Sequence, residues 1–142
     1  MKQPGTIASI QICPASRAPM EAHASARVIE DWGLEGDRHA NSGGTRQVLL
    51  MDEETLSAFG LAAGMVKENI TTRGIDLKTL APGTRLVIGS AVLELTKSCT
   101  PCSRMDEIRP GLREALEGQR GMLARVVQGG LIRVGDPIEI AQ

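Results

Sequence analysis

Residues 85–96 read Arg85-Leu86-Val87-Ile88-Gly89-Ser90-Ala91-Val92-Leu93-Glu94-Leu95-Thr96. Two aliphatic, strand-like runs flank a two-residue Gly-Ser turn, a length and composition that specify a tight β-hairpin. The hairpin delivers the chain to Cys99-Thr100-Pro101-Cys102. Short apolar runs of the same kind recur on both sides. Upstream, residues 6–12 set Ile10 and Ile12 on one face, 26–29 and 47–51 are further candidate strands, and 68–73 is a β-branched run ending at Gly74. Downstream, 122–127, 131–134 and 138–140 read as strands joined by Gln128-Gly129-Gly130 and Gly135-Asp136-Pro137. Helical signals are brief. Asp52 is an N-cap with Glu53 and Glu54 in the first turn, Leu56 and Phe59 share a face, and Gly60 stops the helix. A helical turn is expected near 76–80, and two short helices over 103–108 and 112–116, divided by Pro110-Gly111. The sum is a mainly β fold: a mostly antiparallel barrel or strongly curved sheet of about seven or eight short strands, with about two to four short peripheral helices and no strand-helix-strand alternation. No repeat, low-complexity tract or linker divides the chain, so residues 1–142 are expected to form one domain.

Composition narrows the function classes. The 142 residues include two aromatics, Trp32 and Phe59, and no tyrosine, so there is no platform of rings on which bases could stack. Sixteen Lys+Arg against seventeen Asp+Glu give a formal net charge of −1 with no block of either sign, which removes the electrostatic basis for nucleic-acid or membrane-surface binding. The first residues lack an apolar segment behind their charge and no stretch approaches a membrane span. A cytoplasmic protein is expected. Three cysteines, Cys13, Cys99 and Cys102, are too few and odd in number for a secreted disulfide framework.

The C-x-x-C pair carries the most chemistry. If a thiol sits at the start of the helix expected from 103, with Arg104 beside it, its thiolate is favoured, and a thiolate is both nucleophile and metal ligand. A reactive or metal-ligating thiol, a dithiol redox pair and two inert buried cysteines all remain open. A thioredoxin-like fold is rejected because a hairpin precedes the motif and Pro110 cuts the next helix short. Structural zinc lacks a second ligand pair, since Cys13, His23 and His39 show no paired spacing. Residues 31–45 have no periodicity and read as a long loop. Within it, Gly33-Leu-Glu-Gly-Asp-Arg-His39 lacks the spacing of a nucleotide fingerprint; it reads as a tight turn in which Asp37 caps backbone N–H groups and Arg38 lies on the surface. Asn69, with Thr71 or Thr72, could supply neutral donors and acceptors to a heterocycle, and Arg73 could meet a phosphate.

Taken in order, Gly33-Leu-Glu-Gly-Asp-Arg-His39, Arg46-Gln-Val-Leu-Leu50, Glu68-Asn-Ile70, Gly83-Thr-Arg-Leu-Val-Ile-Gly89, Pro101-Cys102, Gly121 and Gly130-Leu-Ile-Arg-Val-Gly-Asp136 resemble a MOSC domain, over about residues 26–140. This family is named for the C-terminal part of molybdenum cofactor sulfurases and includes amidoxime-reducing components and small stand-alone bacterial proteins. The resemblance implies a β-barrel. It places Cys102 at the family's characteristic cysteine, a molybdenum ligand in amidoxime reducers and a proposed persulfide carrier in sulfurases, and Asn69 in the cofactor pocket. Arg38, Asp37 and His39 belong to the matching loop; Arg46, Arg73, Ser98 and Arg104 are candidates by proximity. The chain has no counterpart of the amidoxime reducers' preceding barrel domain or of the sulfurases' pyridoxal phosphate domain, so no pyridoxal phosphate is expected on it, and Cys99 is an added thiol.

The leading expectation is binding of a molybdenum-pterin cofactor or related sulfur-bearing species through Cys102, with Cys99 as a second reactive thiol. The implied reaction is reductive removal of oxygen from a small N-hydroxylated substrate, with electrons from a donor protein. A metal-free persulfide carrier or thiol relay, served by a sulfur donor protein, is one alternative. A non-catalytic module binding an anionic ligand through Arg38, Arg46 and Arg73 is another. If a heterocycle binds, polar backbone, Asn and Arg groups must hold it, with Trp32 at the pocket's edge or packed over the barrel mouth.

Overall fold

The computed structural model describes residues 5–141. Its central feature is the expected hairpin, β7 (Arg85–Ile88) and β8 (Ala91–Ser98), paired Leu86 to Leu93 and Ile88 to Ala91. Gly89 takes φ +61°, the left-handed conformation the turn needs. Alternation buries Leu86, Ile88, Leu93 and Leu95 and turns Val87, Val92 and Glu94 outward.

Around the hairpin, the chain builds a seven-stranded barrel in the order β11 (Pro137–Ile140), β7, β8, β9 (Met122–Gln128), β5 (Val48–Asp52), β6 (Ile70–Arg73), β1 (Gly5–Ile12). Pairing of β11 with β1 closes it. A short β2 (Glu21–His23) adds to β1 outside the ring, and β10 (Gly130–Arg133), β3 (Ser25–Ile29) and β4 (Gly33–Leu34) form a second small sheet. The core is aliphatic, with Ile7, Ile10, Leu50, Ile70, Leu86 and Leu93 sealed from solvent.

One expectation is corrected. β5 and β6 are parallel, joined through α1 (Glu53–Ala58) and the segment 59–69, so a single strand-helix-strand unit sits in an otherwise antiparallel barrel. Parallel neighbours require a crossover, and this one is short because α1 has only six residues. Asp52 caps α1 as expected, accepting from the Thr55 N–H at 2.9 Å. A 3₁₀ turn (Leu77–Thr79), α2 (Arg104–Ile108) and α3 (Leu112–Ala115) complete the periphery. A second apolar cluster, including Met51, Leu56, Val66, Met105 and Leu116, lies under the helices, with Phe59 and Cys102 packed against it. Among the described residues no helix is long and apolar enough to cross a membrane.

The long loop is held by side chains. Buried Gln47 donates to Asp31 Oδ1 (3.0 Å) and the Asn41 carbonyl (2.9 Å) while its Oε1 accepts the Val126 N–H. These bonds fix the loop against β9 and set His39, Asn41 and Arg46 beside Leu49 and Leu123.

Candidate functional site

Cys99 follows β8 directly and is only 3% exposed; its N–H donates to the Gly121 carbonyl at 2.9 Å. Together with Leu49 and Leu123 it forms a small apolar cluster. That cluster is part of the lining of a cleft of about 270 Å³. His39, Arg46, Lys67 and Arg120 also line it, with Asn41 and Asn69 supplying neutral polar groups. No carboxylate is among the lining residues. Arg46, Lys67 and Arg120 with no carboxylate in the lining favour an anion, although Asp37 stands behind the wall, 3.5 Å from His39.

Arg120 is the most constrained of these groups. It is 8% exposed. Its Nη1 donates to the Thr100 carbonyl (3.2 Å) and lies 3.9 Å from Cys102 Sγ, and its Nη2 donates to the Val66 carbonyl at 3.0 Å. No carboxylate is within ion-pair distance among the described residues, and Nε has no partner. Burying a guanidinium against neutral groups alone costs free energy unless an anion completes its shell.

The two thiols of the C-x-x-C pair occupy different surroundings. All three cysteines are free. Cys99 lines the cleft, whereas Cys102 is half-buried outside it, against the second apolar cluster. Burial pushes the Cys99 thiol above its ordinary range, and the positive charges of Arg120 and Arg46 act in the opposite direction. Cys99 does not adjoin α2, and there desolvation exceeds the attraction of its arginines.

Behind the cleft stands a buried polar network. Asp37 Oδ1 accepts the Cys13 N–H (2.8 Å) and Asn69 Nδ2 (3.1 Å), and Oδ2 accepts the His39 N–H at 3.1 Å. Burial pushes the Asp37 carboxyl up, but the bonds from His39 and Cys13 outweigh it and hold the group below its usual value. The turn is thus capped by Asp37, with Arg38 exposed, as its sequence suggests. Asn69, 2% exposed, accepts the Leu49 N–H at 3.0 Å and also donates to the Gln11 carbonyl at 3.3 Å. Its amide is committed to orienting the wall.

Of the candidates named from sequence, the cleft gathers His39, Arg46, Asn69 and Cys99, with Asp37 immediately behind. It does not gather Arg73, which makes a fork with Glu53 (2.6 and 3.1 Å), nor exposed Arg38 and Ser98, nor Arg104, which lines a neighbouring cleft. Trp32 is 40% exposed and outside both linings. Lys67 and Arg120 had escaped notice. A lone arginine between Gln119 and Gly121, at the threshold of β9, is the one signal that could mark the latter.

Glu68, beside Asn69, is fully buried. Its Oε2 accepts the Gly64 N–H (2.9 Å) and the Thr71 hydroxyl (2.8 Å), whereas Oε1 has no partner. It thereby anchors the segment that carries Val66 and Lys67. Burial raises its pKa, so the folded chain binds more protons than the unfolded one from about pH 4.3 upward, and stability falls as pH rises through the raised folded value. Glu68→Gln keeps an acceptor for Gly64 and removes the charge. It is expected to be more stable than wild type at pH 8 and nearly equal at pH 4, as read from urea midpoints; an equal offset at both pH values contradicts this.

A family model described as the MOSC domain matches residues 37–139. A search of curated proteins found no match. Among solved structures, the fold is similar to the YUAD protein from Bacillus subtilis, with a TM-score of 0.80 at 19% identity, covering 99% of this chain and 97% of that one. It is also similar to YiiM from Geobacillus stearothermophilus (TM-score 0.80, 22% identity, 98% and 76% covered) and to YiiM from Escherichia coli (0.74, 17%, 100% and 70%). At such identities the likeness concerns the fold. The family match spans most of the chain and includes most of the cleft's walls, and by that match the protein belongs to the MOSC domain family.

Proposed function

We propose that the cleft binds the anionic end of a molybdenum-pterin cofactor, or of a related sulfur-bearing species, against the Cys99 thiol. The carrying observation is the one-sided charge: Arg46, Lys67 and Arg120 share the lining with the thiol and His39, with no carboxylate among them. The residues fit such a group. The unpartnered Nε of Arg120 marks a guanidinium without its full complement of acceptors, and arginine suits phosphate and other oxyanions. Among the described residues no group of three or more His, Cys, Asp or Glu side chains is placed to hold a metal, so a metal here would take a thiolate from the protein and its remaining ligands from the cofactor.

When bound, the cofactor supplies the redox centre that removes oxygen from an N-hydroxylated compound, with electrons from a partner protein. The chain's own residues bind and orient. Arg46 and Lys67 neutralise anionic groups, Arg120 does the same while lowering the cost of ionising Cys99, and Leu49 and Leu123 keep water from beneath the thiol. Protein made in a cofactor-competent host is expected to carry molybdenum and pterin, by elemental mass spectrometry and fluorescence. Cys99→Ala is expected to lower the metal content about tenfold or more. Wild-type protein with neither molybdenum nor pterin overturns the reading.

A second reading is favoured by the placement of Arg120, whose charge acts on Cys99 while its Nη1 is 3.9 Å from Cys102 Sγ. Two thiols under one guanidinium suit a persulfide relay, in which a sulfur atom is delivered to Cys102, at the family position, by a donor protein. Incubation with a cysteine desulfurase and cysteine should then add the mass of one sulfur to wild type and none to Cys102→Ala.

A further inference from the structure

Three non-glycine residues among those described have left-handed backbone, Arg17 (φ +61°), Asp31 (+49°) and Lys67 (+67°). Two of them line one place. Arg17 and Lys67 stand on a second cleft, also of about 270 Å³, with Met65, Arg104, Met105 and Ile108. Each such conformation is disfavoured for a residue with a Cβ, and strain of this kind collects at ligand clamps and active sites. Here it falls on two cations, and neither position is occupied by the glycine that would relieve it.

Lys67 also lines the first cleft, so its side chain belongs to the wall between the two. Its Nζ donates to the Ala18 carbonyl at 3.1 Å, which ties the turn carrying Arg17 to the segment carrying Met65. Arg104 has no carboxylate within ion-pair distance among the described residues. The single acid of the lining, Glu107, is 4.0 Å from Arg17 across largely exposed side chains, a contact of little strength. Three cations therefore face one carboxylate, beside two methionines and an isoleucine, with Met65 40% exposed. Methionines form an adaptable apolar surface.

We propose that this second cleft binds an amphiphilic anion, an apolar body of a few carbons bearing a carboxylate, and that this is the end of the N-hydroxylated substrate held here while its N–OH group reaches the first cleft past Lys67. The substrate role rests on the reading of the first cleft as the cofactor site; the binding itself does not. Arg104 and Lys67 hold the carboxylate, and Met65, Met105 and Ile108 cover the apolar body. The volume, about that of nine liquid waters, suits a chain the size of octanoate.

The test is an NMR titration of the full chain, labelled at methionine methyls, with octanoate and, separately, with octylamine. Octanoate is expected to shift the Met65 and Met105 methyls saturably, and Arg104→Gln or Lys67→Met to weaken it at least fivefold, while octylamine leaves both signals in place. Lys67→Gly is expected to lose binding without a lower melting temperature, because glycine relieves the backbone as the ligand contact goes. The proposal is overturned if octanoate gives no saturable shift, if octylamine binds equally well, or if Arg104→Gln binds octanoate as tightly as wild type. None of these readouts involves molybdenum, so absence of metal from the first cleft and absence of octanoate from the second are separate results.

Discussion

Gly121→Ala is expected to lower stability by about 3–5 kcal/mol, combining left-handed backbone strain with overpacking. Gly121 has φ +99°, and a methyl group there would collide with the carbonyl oxygen and carbon of Leu50 and the Cα of Met51. Those are backbone atoms of β5, so a rotamer change cannot relieve the clash. The neighbouring residue, Met122, is in register with Leu50, and the Gly121 carbonyl accepts the Cys99 N–H. Separation of β5 from β9 would displace the thiol as well. A fall in melting temperature of about 10 °C or more is expected. Gly83→Ala is the control: its φ is +93° with open space around the added carbon, so it carries the conformational cost alone, about 1–2 kcal/mol. Equal losses in the two variants would exclude the clash as the cause.

Arg120→Met is expected to affect fold and ligand together. Methionine fills much of the volume but leaves the Thr100 and Val66 carbonyls without their donor, a loss of about 1–3 kcal/mol. It also removes the most buried cation of the cleft, so molybdenum content in the loaded protein should fall about tenfold or more. A third consequence has a fixed sign. Arg120 favours the ionised form of Cys99, so its loss moves the pH profile of Cys99 alkylation to higher pH. Arg120→Lys keeps the charge without the fork and should preserve that profile better than it preserves stability. Wild-type metal content and an unmoved profile in Arg120→Met would remove Arg120 from the site.

The hairpin at Gly89-Ser90 was legible because local chemistry and burial agree there: turn, alternation and register give one answer. The other strands of the ring were legible as short apolar or β-branched runs, with β5 buried at every position. What escaped was whatever depends on a distant partner. All three residues of β2 are exposed, so no apolar alternation announces it, and β4 has two residues. The parallel pairing of β5 with β6 is invisible because a six-residue helix resembles a turn between antiparallel strands. The candidate site divides likewise. Asp37 acts on its own loop, and its capping could be read from spacing, whereas Arg120 reaches carbonyls twenty and fifty-four positions away. The separation of Cys99 from Cys102 depends on Leu49 and Leu123 converging from other strands, which no local motif encodes.

The seam between β1 and β11 bears on how the protein is made. Gly5 pairs with Ile138 and Thr6 with Pro137, so, of the strands described, the last in chain order joins the first. Until β11 emerges, β1 and β7 each present a bare edge, and a nascent chain with such edges is open to pairing with its neighbours. Closure also depends on contacts between residues far apart in sequence, which slows folding. The cationic cleft is lined from β5 and β9 and from the segments before β6, after β8 and before β9, away from that seam, so its walls can be assembled before the ring is complete. A ligand captured at that stage would act on a folding intermediate as well as on the finished barrel, coupling cofactor supply to the yield of native protein.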